Sequence, residues 1–151
     1  MALADAVSAT IHVAFAGLWT GTVLFVVFAV LPLATDGSLN AKPLAAFAGK
    51  LKTVSRVSTV LLLLTGGHLT GSLYTVDSLT GTGAGHAVLA MIVLWLVLTV
   101  LVEIGAGKLT DGTETGKVRT PAAAAKPYLQ GAALVAVLLL IDAGALAGGL
   151  V

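Results

Sequence analysis

The chain has 151 residues, of which 58% are hydrophobic and 10% charged, and its formal net charge is +1. Soluble domains carry about 45–50% apolar and about 25% charged residues, so this composition excludes an ordinary water-soluble fold. The small net charge excludes the basic surface that nucleic-acid binding needs, and the absence of cysteine excludes disulfides and thiolate metal sites.

Apolar stretches predict one domain, residues 1–151, that is all-α: an integral membrane four-helix bundle. The predicted helices cover about residues 5–33, 43–74, 86–105 and 127–150. Pro32 and turn-forming residues close the first helix, and Pro43 suits the first turn of the second. A Gly- and Thr-rich loop precedes the third helix, and the polar segment 107–126 precedes the fourth.

Lysine and arginine predict the orientation of this bundle, because short loops rich in these residues stay in the cytoplasm. All of them fall in or beside the first and third connections, which lie on one side: Lys42, Lys50, Lys52, Arg56, Lys108, Lys117, Arg119 and Lys126. The chain is therefore expected to be a multi-pass protein of the cell membrane, with both termini on the outer side (N-out/C-out).

Each predicted helix places one metal-capable side chain in the outer part of the bundle: His12, His68, His86 and Asp142. Ionisable groups within a membrane are costly and face a cavity, a partner or a ligand. The four residues are accordingly predicted to form one metal site. The alternative is that each is satisfied separately, with His86 as a solvated cap, His12 and His68 bonded to neighbouring helices, and Asp142 paired with a histidine.

Glycines at four-residue spacing lie near these residues, in the pairs Gly17–Gly21, Gly67–Gly71 and Gly144–Gly148. Such pairs are typical of close helix packing in membranes. Alternatively, Gly67 and Gly71 clear room for a b-type haem beside His68. Trp19 is expected to pack inside the bundle, where it would also wall a cofactor.

The first helix reads His12, six residues, Trp19, one residue and Gly21, which resembles the opening helix of the copper resistance D family of membrane proteins. Ser55-Arg56 followed by a leucine run and Thr65-Gly66 is similar to that family's second helix, and Gly85-His86 to its third. The resemblance implies copper handling at or across the membrane, with His12 as the motif histidine. A similar histidine helix also occurs in membrane haem proteins.

Three functions follow from these patterns. The first is binding of a transition metal, with copper handling or transport as the role and copper ion as the ligand. Because copper(I) prefers sulfur, imidazole and carboxylate ligands favour copper(II) or zinc. The second is a b-type haem held by His12 and His68 for electron transfer. The third is a structural subunit without a cofactor, whose glycine faces bind a membrane partner or a second copy in the lipid bilayer. None of these roles requires an enzyme.

Overall fold

The computed structural model describes residues 2–151, and the all-helical prediction is confirmed. The α-helices are α1 (Leu3–Phe25), α2 (Leu31–Asp36), α3 (Ala41–Leu73), α4 (Val76–Gly81), α5 (Gly83–Thr110) and α6 (Arg119–Ala147). A π-helical turn, Val26–Val30, joins α1 to α2, and a 3-10 turn, Thr113–Thr115, lies between α5 and α6. No strand occurs in this part of the chain.

The four long helices pack in a ring in which α1 contacts α3 and α6, while α5 contacts the same two helices from the other side. The core is a stack of fully buried side chains at helical spacing, and its largest members are Trp19, Leu44, Leu51, Leu98, Leu109 and Leu129. Three segments are long and apolar enough to cross a membrane: Leu3–Asp36, Gly83–Thr115 and Arg119–Ala147.

The first helical segment continues to Asp36, past the predicted end, because the π-helical turn accommodates Pro32. Proline has no backbone N–H and its ring crowds the carbonyl four residues earlier, so a regular helix is disturbed there. The N–H of Leu31 instead reaches the carbonyl of Val26, five residues back. This wider turn keeps α1 and α2 in one continuous rod.

The fourth helix begins at Arg119, eight residues before the start predicted at Pro127. Residues 122–125 are four alanines, and alanine has the highest helix propensity, so this run is helical rather than part of a loop. Pro127 therefore lies inside α6 instead of at its start. Proline within a membrane helix is tolerated where the surroundings satisfy the freed carbonyl.

The Gly- and Thr-rich segment predicted as a loop before the third helix, residues 77–85, is also largely helical, since it contains most of α4 and the start of α5. Thr75 caps α4 by accepting from the backbone N–H of Ser78, and Thr82 accepts from the backbone N–H of Gly85. A side chain at Gly85 would collide with the backbone of Ser78 and Leu79. Glycine at this position therefore lets α4 fold back against α5.

The most extensive helix interface in the described chain joins α5 to α6, and alanine rather than a glycine pair lines it. The face of α6 that meets α5 is built on small residues, with Ala125, Ala132 and Ala136 fully buried. On α5, a Cβ at Gly105 would lie 2.6 Å from Cδ2 of Leu129. Small residues therefore set the approach of these helices, as is usual in membranes.

Candidate functional site at the α1–α3 interface

The polar side chains of α1 and α3 meet in two hydrogen-bonded pairs along one interface. Asp5 and His12 are seven residues apart, which places both on the same face of α1. Thr65 and His68 are three residues apart on α3 and also share a face. In the structure His68 bonds to Asp5, and His12 bonds to Thr65.

The outer pair joins Nε2 of His68 to Oδ1 of Asp5 over 3.1 Å. The Asp5 side chain is 12% exposed and that of His68 is 43% exposed, so the carboxylate is nearly covered and the imidazole is not. The other carboxylate oxygen, Oδ2, accepts from the backbone N–H of Ala2 at 3.0 Å. Both oxygens of Asp5 therefore have donors, and the ring of His68 has one nitrogen without a partner among residues 2–151.

The inner pair joins Nδ1 of His12 to Oγ1 of Thr65 over 2.9 Å. The single hydroxyl hydrogen of Thr65 is already donated to the carbonyl of Leu61 at 2.7 Å, so the hydroxyl acts as an acceptor toward His12. The proton between the pair consequently belongs to Nδ1 of His12. The remaining nitrogen, Nε2, keeps its lone pair in the neutral ring.

Gly66 provides the space that the His12 ring occupies. A Cβ at this position would lie 2.9 Å from Cε1 of His12, closer than a real contact allows. Because any side chain at Gly66 would displace the imidazole, this glycine has a specific role in orienting His12. Its position next to Thr65 means that adjacent residues supply the hydrogen bond and the room.

The other two predicted ligands lie apart from this interface. His86 is exposed at the start of α5, and its Nε2–H donates to the carbonyl of Thr80 at 2.9 Å. Asp142 lies on α6, and its Oδ2 atom is buried without a partner in the described chain. Residues 2–151 contain no group of three or more His, Asp or Glu side chains placed to hold one metal ion. The described chain by itself does not bring the four predicted ligands together, so a metal site shared by all four stays a prediction.

Asp5 is the functional candidate that the sequence reasoning missed, since Asp142 was expected to be the carboxylate beside a histidine. The pattern that could have predicted Asp5 is its spacing of seven residues from His12, which corresponds to two helical turns and places both residues on one face. Thr65 was noted only as part of a motif, and its hydrogen bond to His12 depends on how α1 and α3 pack.

The predicted glycine faces do not contact another helix within the chain. A Cβ at Gly17, Gly21, Gly67, Gly71 or Gly144 would meet nothing within 4 Å in the described structure, and at Gly148 it would meet only its own helix and Leu150. Packing inside the bundle is therefore not the role of these residues. The space beside Gly67 and Gly71 is open to at least 4 Å within the described residues.

Both tryptophans pack in or against the core, as predicted for Trp19, which is 1% exposed. The indole Nε1 atoms of Trp19 and Trp95 have no hydrogen-bond partner in residues 2–151.

Comparison of the chain with protein-family models, with curated proteins and with solved structures finds no match.

Proposed function

We propose that the chain crosses the cell membrane four times, with both termini outside, and that α3 is the fourth spanning helix. From Arg56 to Leu73, α3 supplies about 26 Å of helix, which is close to the thickness of the hydrocarbon layer. Arg56 forms an ion pair of 2.9 Å with Glu103 of α5, and in this arrangement the pair would lie at the inner edge of the apolar region. The basic residues beyond it support a cytoplasmic location for that end.

The topology is tested by single cysteines introduced at Thr80 and at Thr113. The wild-type chain has no cysteine, so each variant carries one label position. Thr80 lies in α4 and Thr113 lies in the connection between α5 and α6. An impermeant thiol reagent applied to intact cells should label the cysteine at position 80 and spare the one at position 113 until the cells are opened. Labelling of both in intact cells would contradict a membrane-spanning α5, and labelling of a third cysteine placed at Ser38, between α2 and α3, would contradict a membrane-spanning α3.

The proposed function of this bundle is to capture a divalent transition metal, copper(II) or zinc, as cargo at the α1–α3 interface. One observation carries the proposal: His12 and His68 each have one ring nitrogen bonded to an oxygen and the other nitrogen available. Histidines that bind metals show this arrangement, because the bonded N–H fixes the orientation of the ring. Imidazole nitrogen suits both copper(II) and zinc.

The two histidines would form two separate metal sites rather than one site closed by several ligands. We call them the outer station, His68 with Asp5, and the inner station, His12 with Thr65. His68 lies one turn beyond Thr65 on α3, which corresponds to about 4.5 Å along the helix axis. The partly exposed His68 with Asp5 would receive the ion first, and the deeper His12 would hold it next. Structural metal sites are closed by about four protein ligands, whereas open sites leave positions for exchange. A station with one imidazole therefore fits an ion in transit, and the resemblance of His12 to the copper family favours copper.

The experiment is copper(II) binding to the purified protein in detergent, measured by equilibrium dialysis and by electron paramagnetic resonance. Asp5→Asn should lower the affinity of the outer station by about 10- to 100-fold, the usual effect of losing a partner that orients a ligand histidine. The new amide has a single oxygen, so it cannot accept from both the N–H of Ala2 and the N–H of His68. Asp77→Asn is the matched control, because Asp77 is an exposed carboxylate on the same side. Equal affinity of both variants would contradict the role of Asp5.

A structural subunit is the second candidate, and the open glycine faces favour it. Gly17, Gly21, Gly67, Gly71 and Gly144 face away from the other helices of this chain, which is where a second copy or a membrane partner would pack. The metal experiment separates these functions, because a packing subunit binds no copper above the level of a variant without His12 and His68. A strong visible absorption band after expression with haem would instead support the b-type haem function.

A further inference from the structure

A cavity of about 460 Å³ lies at the basic end of the bundle, on the side opposite the histidines. It is largely open to the surroundings, and its walls come from two connections, the turn between α2 and α3 and the loop that leads into α6. Its lining includes Gly37, Asn40 and Ala41 from the first connection and Gly116, Lys117 and Arg119 from the second. The accessible lining is mainly polar, so a polar molecule rather than a lipid chain suits it.

Arg119 is held in place at the wall of this cavity. One guanidinium nitrogen donates to the backbone carbonyl of Asp36 at 2.7 Å, and the guanidinium lies over Gly37. Gly37 has φ +85°, and a side chain there would collide with Arg119. The arginine has five N–H groups, so donors remain for a ligand after the bond to Asp36.

Lys117 is placed by a tight loop that depends on glycine. Gly112 and Gly116 both have positive φ, and the backbone N–H of Lys117 bonds to the carbonyl of Gly112 at 3.0 Å. The aliphatic stem of Lys117 lies beside Gly112. Its ammonium group makes no hydrogen bond or ion pair to residues 2–151. Two cationic side chains from one loop thus line the cavity with donors available.

Backbone donors add to these two charges. The long helices α3 and α6 both begin at the cavity, and neither Asn40 nor Val118 caps its helix through a side chain. The first N–H groups of α3 and α6, including those of Ala41 and Thr120, have no backbone acceptor in the described chain. Asp36 lies beside Arg119, and its Oδ1 atom accepts from the backbone N–H of Ser38 at 2.8 Å. Asp111 and Glu114 belong to the same loop as Lys117 but are not among the residues that line the cavity.

We propose that this cavity binds a phosphate group, supplied by the headgroup of an anionic lipid or by a free phosphate. Arginine matches phosphate oxygens with two parallel N–H bonds, and lysine adds a point charge. If this end faces the cytoplasm, the negative surface of the inner leaflet lies beside it. The proposal depends only on the geometry of the two connections and is independent of metal binding.

The test uses the whole protein in a neutral detergent, with phosphatidic acid and inorganic phosphate as separate probes. Native mass spectrometry counts bound phosphatidic acid, and equilibrium dialysis measures phosphate. One phosphate group should bind per chain, and Lys117→Gln should weaken it about tenfold, as expected for one lost charge-assisted hydrogen bond. Arg119→Lys should also weaken it, because the paired N–H geometry is lost while the charge remains.

Lys50→Gln is the matched control, since Lys50 is an exposed lysine of α3 outside the cavity. Retention of phosphatidic acid without inorganic phosphate would identify a lipid headgroup, and binding of both would identify the phosphate group itself as the ligand. The proposal is overturned if neither probe binds, or if Lys50→Gln weakens binding as much as Lys117→Gln. Lys117 supports no other side chain by a hydrogen bond, so its variant is expected to fold.

Discussion

Replacing His12 or His68 with Ala should each remove one of two copper(II) ions from the protein, and replacing both should remove copper binding altogether. Each residue belongs to a different hydrogen-bonded pair, His12 with Thr65 and His68 with Asp5. Loss of a direct ligand should lower the affinity of its station by more than the roughly 10- to 100-fold typical of an outer partner. Each single variant should keep the station of the other histidine, because the two hydrogen-bonded pairs share no residue.

His86→Ala is the control for this series, because His86 is exposed and bonds to the carbonyl of Thr80. Copper stoichiometry should be unchanged in that variant. Two further results would contradict the two-station arrangement. If either single change removed both ions, the histidines would share one site, and if His86→Ala or Asp142→Asn removed one, the site would extend to the ligands first predicted.

Gly105→Leu should destabilise the bundle far more than Gly67→Leu, although both glycines lie within long helices. A Cβ at Gly105 would be 2.6 Å from Cδ2 of Leu129, which is itself fully buried. Overpacking of this kind costs about 1–3 kcal/mol or more because neighbouring side chains must leave their preferred rotamers. At Gly67 the added side chain would meet nothing within 4 Å.

Thermal unfolding in detergent, followed by circular dichroism, measures this difference. The intrinsic helix propensities change alike in the two variants, so they cancel in the comparison. If Gly67→Leu lowered the unfolding temperature as much as Gly105→Leu, Gly67 would lie at an interface with another copy of the chain. Dilution of the protein would then reduce the effect.

The sequence alone was sufficient to predict the all-helical fold class and the apolar segments. Hydropathy and the low fraction of charged residues act locally, so they predict helices that suit a membrane without reference to tertiary contacts. The fourth helix was predicted to begin at residue 127, after the polar segment, whereas it begins at Arg119. The alanines before Pro127 extend the helix back to Arg119, and a membrane helix accepts an internal proline.

The partner of each polar side chain, and the contacts of each glycine, depend on the tertiary structure. Asp5, His12, Thr65 and His68 share faces of α1 and α3 by their spacing, but the relative rotation and height of the two helices join them in pairs. Spacing alone likewise cannot distinguish Gly17 or Gly67, which face outward, from Gly105, which meets Leu129. The physical reason is that helical period specifies a face within one helix, whereas the neighbour of that face depends on packing summed over the whole bundle.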